Sequence, residues 1–113
     1  MIKKVLVANR GEIAIRIFQT LREMEIESVA VFTEADAAAL HVRSTDQIAK
    51  IENYIDPEEI TRAAQESGAD AVHPGYGFLS ENPSLSSACE SAGIIFIGPH
   101  TKTIRSMGDK LES

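Results

Sequence analysis

The sequence predicts an α/β domain in which a parallel five-stranded sheet lies between two layers of helices. Short apolar runs of strand length alternate along the 113 residues with segments whose apolar residues recur every three or four positions. The spacing between successive strands leaves room for helical crossovers, which is the connection that parallel strands need. We therefore expect one three-layer α/β/α domain spanning residues 1–113.

Five apolar segments predict the strands. They are Val5–Ala8, Ser28–Phe32, Gln47–Ile51, Ala71–His73 and Ile94–Ile97. Continuous apolar character of this kind is typical of strands that are covered on both faces. The third segment is the weakest of the five.

The first predicted helix begins at about Glu12 and is the most clearly amphipathic. Its apolar side is Ile13, Ala14, Ile17, Phe18, Leu21 and Met24. A short helix is expected from Asp36 to about His41, with Asp36 as its N-cap. At Asp56 the pattern predicts a capped helix start with proline at the first position and Glu59 completing a capping box.

Glycine and proline delimit the remaining helices. Ile60, Ala63 and Ala64 form the buried side of the helix after Asp56, and Gly68 ends it. A further helix begins at Asn82-Pro83, buries Leu85, Ala88, Cys89 and Ala92, and closes at Gly93. A last helix is expected from about Thr101, with Ile104, Met107 and Leu111 facing inward. The chain stops inside this helical pattern, so we expect it to belong to a longer protein.

Composition excludes several function classes. Eleven Lys and Arg against seventeen Asp and Glu give a net charge of −6, so no phosphate-binding surface for a nucleic acid is expected. The single cysteine, Cys89, can form neither an internal disulfide nor a thiolate metal site, which suits a reducing compartment. The apolar opening is too short for a signal peptide or a membrane span. We expect a soluble, cytoplasmic protein without membrane contact.

A glycine-rich segment, residues 73–82, follows the fourth predicted strand. Gly75 and Gly77 allow positive φ and close approach, and Tyr76 lies between them. Ser80, Glu81 and Asn82 add hydrogen-bonding groups. The carboxyl edge of an open parallel sheet is where such folds bind ligands. Local chemistry leaves two interpretations open, a ligand site and a turn shaped by Pro74 with Asn82 as helix cap.

Other polar residues have simpler interpretations. Gly11 predicts a tight turn after the first strand, and the missing G-x-G-x-x-G spacing disfavours ordinary dinucleotide binding. His73 is interpreted as a hydrogen-bonded core histidine, Cys89 as a core residue, and Lys110 as a solvated lysine at a helix end. Arg16, Gln19 and Glu23 form a polar ridge that is either solvated or paired with a second copy of the chain.

The motifs taken together resemble the N-terminal domain of the biotin carboxylase family. The resemblance spans nearly the whole chain, in order, and rests on residues 9–17, Glu34-Ala35-Asp36 with Leu40-His41-Val42, residues 69–82, Ile95-Phe96-Ile97-Gly98-Pro99 and residues 104–110. It implies a Rossmann-like pre-ATP-grasp domain that comes before ATP-grasp and C-terminal domains. It also implies an enzyme that uses ATP and bicarbonate, through carboxyphosphate, to carboxylate biotin on a carrier protein.

The resemblance assigns roles to particular positions. Tyr76, Gly77 and Glu81 would form a wall of the biotin site, and Lys110 would reach the ATP phosphates. Arg16, Gln19 and Glu23 would lie on a dimer face, although some members have arginine where this chain has Gln19. Mg²⁺ or Mn²⁺ would bind outside residues 1–113.

The same resemblance sets the expected partners and the expected limits of the chain. The implied partners are the remaining domains, the biotin carboxyl carrier and a carboxyltransferase, in the cytoplasm or the mitochondrial matrix. Glu52-Asn53 replaces a longer loop that the family usually has. The fragment alone is expected to be inactive, and the alternative is a stand-alone dimerisation or docking module.

Overall fold

A computed structural model describes residues 2–75 and 83–98, and these contain a five-stranded parallel sheet with helices on both faces. The strands are β1 (Lys4–Val7), β2 (Glu27–Phe32), β3 (Gln47–Lys50), β4 (Ala71–His73) and β5 (Ile95–Phe96). The helices are α1 (Gly11–Glu23), α2 (Leu40–Arg43), α3 (Pro57–Ser67) and α4 (Pro83–Ser91), with a 3₁₀ turn at Glu34–Asp36. The predicted fold class is confirmed.

The order of the strands across the sheet is β3-β2-β1-β4-β5. The central strand β1 pairs in parallel with β2 on one side and β4 on the other, so that Leu6 lies beside both Val29 and Val72. The chain therefore adds β2 and β3 on one side of β1, and then returns to add β4 and β5 on the other side. The reversal lies between β1 and β4, and open α/β sheets bind ligands at the carboxyl ends of the strands at such a point.

Apolar side chains form two clusters, one on each face of the sheet. Alternate residues of β1 point to opposite faces, as the twofold side-chain period of a strand requires. Leu6 packs with Ile60 of α3 and Leu85 of α4, and all three are fully buried. Val5 packs with Phe18 of α1 on the other face.

The predicted inner face of α1 is confirmed except at its end. Ala14, Phe18 and Leu21 are buried. Met24 was expected beside them, and this prediction is wrong, because α1 ends at Glu23 and Met24 is the cap residue, 61% exposed.

Helix α3 begins and ends where the sequence predicts. The Asp56 carboxylate accepts from the amides of Glu58 and Glu59, and Gly68 ends the helix with φ of 77°. The capping box expected from Glu59 does not form, because its carboxylate binds other amides. The Glu59 carboxylate accepts from the amides of Glu52 and Asn53, at 2.8 and 3.0 Å. Helix α3 thus satisfies the backbone donors of the short connection that follows β3.

The predicted helix from Asp36 to His41 is the main error in secondary structure. The segment forms the 3₁₀ turn Glu34–Asp36 and then α2, whose N-cap residue is Ala39. Asp36 is instead drawn toward Arg10 and Tyr54, as described below. The helix expected from Thr101 lies outside the described residues. Within the described ranges, no helix has the length and apolar character needed to cross a membrane.

Candidate functional site

The carboxyl end of β1 is tied directly to the start of the glycine-rich segment. Past the paired residues Val7 and His73, the amide of Ala8 donates to the His73 carbonyl at 2.8 Å. The Asn9 side chain is buried, and its Nδ2 donates to the carbonyl of Pro74 at 3.0 Å. Its Oδ1 accepts from the Arg10 amide at 2.8 Å. One carboxamide therefore fixes both the turn after β1 and the turn after β4.

Gly75 is required at its position for two reasons. Its φ of 69° lies in the left-handed region, which side chains with a Cβ atom disfavour. A Cβ atom at this residue would also lie 2.5 Å from Nδ2 of Asn9 and 2.9 Å from its Cβ. The expected positive φ and close approach at Gly75 are confirmed, and both serve the contact with Asn9.

His73 completes this turn from within the strand. Its Nδ1 accepts from the Gly75 amide at 2.9 Å. Burial lowers the pKa of His73 below its ordinary value, because the protonated ring would lose hydration. An acceptor Nδ1 also requires that this nitrogen carry no proton. The expectation of a hydrogen-bonded histidine at this strand end is confirmed.

We expect the domain to lose stability when the pH falls through the ordinary pKa of histidine, near 6.5. The folded ring has the lower pKa, so the unfolded chain binds more protons in this range and acidification favours unfolding. The loss should not exceed about 1.4 kcal/mol per pH unit. Urea unfolding at about pH 7.5 and about pH 5.5 measures it.

The control for this pH dependence is His73→Asn, whose Oδ1 can replace the acceptor Nδ1 but does not titrate. The difference in stability between the two pH values should shrink in the variant. An unchanged difference would assign the effect to other groups.

A second polar cluster joins the ends of β1, β2 and β3. The Arg10 guanidinium binds the Asp36 carboxylate through two hydrogen bonds, of 2.7 Å from Nε and 2.8 Å from the terminal nitrogen. The Tyr54 hydroxyl donates to the same carboxylate at 2.7 Å. These hydrogen bonds, that of Arg10 first, lower the pKa of Asp36 to about 2. The carboxylate is therefore charged at neutral pH and links three loops.

His41 lies beneath this cluster in α2. The ring is buried, with Nε2 3.2 Å from the Val31 carbonyl oxygen. Among the described residues, its Nδ1 has no hydrogen-bond partner. The sequence predicted His41 at the end of the helix from Asp36, but the residue lies near the start of α2, and no sequence signal indicated that its ring is buried.

The polar ridge of α1 is at the surface. Arg16 donates to Glu12 at 2.8 Å, and both side chains are 76% exposed. Gln19 and Glu23 are exposed as well. An exposed pair of this spacing contributes about 0.3–0.5 kcal/mol. The ridge is therefore available for contact with another molecule at little cost to the fold.

The structure separates the predicted site residues into two groups. Arg16, Gln19 and Glu23 lie on α1, whereas Tyr76, Gly77, Glu81 and Lys110 lie outside the described residues. The sequence analysis missed the roles of Asn9, Asp36 and Tyr54. Arg10 and Asp36 follow neighbouring strands and carry opposite charges, which was the available signal for their pairing.

Cys89 fits its core assignment. It is fully buried, and burial raises the pKa of its thiol to about 11. Such a thiol is neutral and unreactive at physiological pH. Within residues 2–75 and 83–98, no group of three His, Cys, Asp or Glu side chains could hold a metal ion.

The chain matches known proteins along nearly its whole length. The sequence profile of the family "Biotin carboxylase, N-terminal domain" matches residues 1–104. Mitochondrial pyruvate carboxylase of Rattus norvegicus is 47% identical over 119 aligned positions, which cover 99% of this chain and 10% of that protein. Because 119 exceeds the 113 residues of the chain, at least six of these positions have no counterpart here.

Two solved structures have the same fold. Pyruvate carboxylase of Rhizobium etli superposes with a TM-score of 0.94 at 46% identity, covering 97% of this chain and 12% of that one. The biotin carboxylase domain dimer of Hydrogenobacter thermophilus 2-oxoglutarate carboxylase, in complex with MgADP, ADP and bicarbonate, superposes with a TM-score of 0.92 at 49% identity. It covers 96% of this chain and 25% of that one.

The chain thus spans about a tenth to a quarter of the proteins that it matches. The family profile covers most of the 113 residues, and the structural likeness extends over the same part of the fold. The chain belongs to the biotin carboxylase N-terminal domain family.

Proposed function

We propose that residues 1–113 are the N-terminal domain of a biotin carboxylase and supply one wall of its active site. The complete enzyme would use ATP and bicarbonate to carboxylate the ureido nitrogen of biotin on a carrier protein. The observation that carries this proposal is the match of residues 1–104 to the family. The ATP-grasp and C-terminal domains would complete the site.

The geometry at the carboxyl edge of the sheet supports the proposal that this domain forms one wall of the active site rather than a complete site. Asn9, Arg10, Asp36 and Tyr54 already bind one another or the backbone, so they hold the loops in place. Gly75 then starts the segment toward Tyr76 from a fixed position. We assign the contacts with biotin to Tyr76, Gly77 and Glu81.

The nucleotide contacts are assigned mainly to other parts of the enzyme. Lys110 would reach the ATP phosphates, as a compact positive charge suited to phosphate. The Hydrogenobacter thermophilus domain was solved with MgADP and bicarbonate, which supports the same ligands here. Mg²⁺ or Mn²⁺ would neutralise phosphate charge and would be held by residues outside this chain.

The test is ATP hydrolysis by the longer protein that carries this chain. Hydrolysis should require both bicarbonate and free biotin, and residues 1–113 alone should show none. A folded longer protein whose ATP hydrolysis is indifferent to both would contradict the proposed function.

Tyr76→Ala in the longer protein should raise the KM for biotin about tenfold, which corresponds to about 1.4 kcal/mol of lost binding. The reason is that an aromatic ring against the vitamin supplies apolar contact that alanine cannot replace. Tyr76→Phe keeps the ring and should retain most of the affinity. Biotin-dependent ATP hydrolysis, measured against biotin concentration, gives both values, and identical kinetics in all three proteins would remove Tyr76 from the site.

A second proposed role is self-association through the ridge on α1. Arg16, Gln19 and Glu23 are exposed, and the related Hydrogenobacter thermophilus domain was solved as a dimer. Sedimentation of the longer protein should show a dimer that Arg16→Glu weakens. Arg62→Glu, an exposed arginine on α3, is the matched control and should leave the dimer intact. A monomer at all concentrations would exclude this role.

The partners of the complete enzyme are proposals of the same kind. A biotin carrier would present the vitamin, and a carboxyltransferase would take up the carboxyl group. The enzyme would act in the cytoplasm or in the mitochondrial matrix, and the mitochondrial rat relative supports the second location.

A further inference from the structure

Strand β3 is an open edge of the sheet. It pairs with β2 on one side, and no described strand lies on its other side. The Ile51 amide donates to the Phe32 carbonyl of β2, and consecutive residues of a strand point their backbone groups to opposite sides. The N–H and C=O groups of Ile48 and Lys50 therefore point away from the sheet. Such a row of backbone groups is a template for another strand.

The edge is accessible on both faces of the sheet. A polar groove of about 260 Å³ lies between β3 and α3, so the helix leaves the strand open on that face. On the other face the Ile48 side chain is 50% exposed. Gln47 and Lys50 are exposed as well. A second strand could thus lie beside β3 without displacing a described element.

The side chains at this edge alternate in character along one face. Ile48 pairs with Ala30, a residue of the cluster on the α1 side, so Ile48 points to that side. Lys50 points to the same side, because side chains two residues apart in a strand share a face. The Asp46 carboxylate does so too, since it accepts from the hydroxyl of Ser28, two residues before Ala30, at 3.3 Å. This face of the edge presents an acid, an apolar residue and a base in turn.

We propose that two copies of the chain associate by antiparallel pairing of their β3 strands, with Ile48 opposite Ile48 on a twofold axis. In this register Lys50 of each copy lies opposite Asp46 of the other. Opposite charges that face each other across an antiparallel pair stabilise it. The outward N–H and C=O groups of Ile48 are those that a hydrogen-bonded pair exchanges. The contact is self-complementary, as a twofold interface must be.

The charges that this contact uses are available. Asp46 accepts from the Ser28 amide and hydroxyl through Oδ2, and its Oδ1 has no partner among the described residues. The Lys50 ammonium is 3.8 Å from the carboxylate of Glu34, whose side chain is 88% exposed. An ion pair this loose and this exposed contributes little. Neither residue has to give up a strong interaction to bind the second copy.

Charge also selects the register. Sliding one strand so that Lys50 lies opposite Ile48 would bring Asp46 opposite Glu52 of the other copy. Like charges directly opposite each other destabilise a strand pair. The register centred on Ile48 avoids this contact and gains two pairs of opposite charge.

This inference goes beyond the proposed function and does not depend on it. The surface is the edge of the sheet, whereas the ridge proposed for self-association lies on α1, so both contacts can form in one assembly. One pair of short strands buries little area, and interfaces of low area are weak. We therefore expect the dimer at high protein concentration and the monomer in dilute solution.

The first test is sedimentation of the 113-residue chain from about 5 to about 500 µM, the range in which weak association is detected. A dimer should form, and Lys50→Glu should weaken it at least about tenfold, because a carboxylate would then face Asp46. Lys3→Glu makes the same charge change at an exposed position away from β3 and should leave the dimer intact. Arg16→Glu should also leave it intact, which separates this contact from one through α1. A monomer throughout, or a dimer that Lys50→Glu weakens no more than these controls do, would overturn the proposal.

The second test is disulfide formation between copies. A hydrogen-bonded antiparallel pair places its Cα atoms about 5.5 Å apart, within the range of a disulfide, so Ile48→Cys should link to itself across the axis. The control is Ile95→Cys, 51% exposed on β5 at the other edge of the sheet. The native Cys89 is buried and present in both variants.

Under mild oxidation Ile48→Cys should form covalent dimers at least about ten times faster than Ile95→Cys, because pairing raises the effective concentration of the two thiols. Mass under non-reducing conditions separates dimer from monomer. Equal rates would mean that the thiols meet only by random collision, and this result would overturn the proposal.

Discussion

Gly75→Ala is expected to destabilise the domain by about 2–4 kcal/mol. Part of this cost is conformational, because alanine disfavours a φ of 69°. The rest comes from the contact with Asn9, whose Nδ2 would lie 2.5 Å from the new Cβ atom. Asn9 would have to move, and its buried hydrogen bond to the Pro74 carbonyl would be lost. Urea unfolding of the variant and the unmodified chain measures the difference.

Gly11→Ala is the matched control for this substitution. Gly11 has nearly the same φ, 66°, but a Cβ atom there would meet nothing within 4 Å. Its cost should therefore be the conformational part alone, about 1–2 kcal/mol. The difference between the two variants measures the contact with Asn9. If Gly75→Ala lowers the free energy of unfolding no more than Gly11→Ala does, the turn can relax away from Asn9. The proposal that Gly75 holds the start of the biotin wall in a fixed position would then be wrong.

Ile60→Ala should destabilise the domain by about 2–5 kcal/mol. Ile60 is fully buried between α3 and the sheet, so removing three carbon atoms leaves a cavity in the larger cluster. Since single domains have total stabilities of about 5–15 kcal/mol, a loss of this size is a large fraction of the whole. Denaturant unfolding at neutral pH gives the value.

The control for the cavity is Ile48→Ala on strand β3, where half of the side chain is exposed. Its cost should stay below about 1 kcal/mol, apart from a small loss of strand propensity. If Ile60→Ala loses no more stability than Ile48→Ala, the core around α3 must rearrange to fill the cavity.

The fold could be predicted from the sequence because its signals are local. The apolar runs of the strands and the Asp56-Pro57 and Gly68 limits of α3 depend on residues that are close in the chain. The error at Asp36 has the opposite origin. Its carboxylate could have capped a helix locally, but it accepts hydrogen bonds from Arg10 and Tyr54, which are 26 and 18 residues away. No local pattern encodes such partners.

The candidate site was likewise predictable only where its signals are local. The turn at Gly75 was predicted from glycine chemistry, and its reason, Asn9, became visible only when β1 and β4 were placed side by side. The roles of Tyr76, Gly77, Glu81 and Lys110 came from resemblance to a family. They remain predictions, because those residues lie outside the described part of the chain.

The hydrogen bonds from Glu52 and Asn53 to the Glu59 carboxylate bear on how this family tolerates changes of loop length. Ile51 is anchored by its amide to the Phe32 carbonyl, and α3 begins at its own cap on Asp56. Both ends of the connection are thus secured independently of what lies between them. Insertions at this place should bulge into solvent while sheet and helix keep their places.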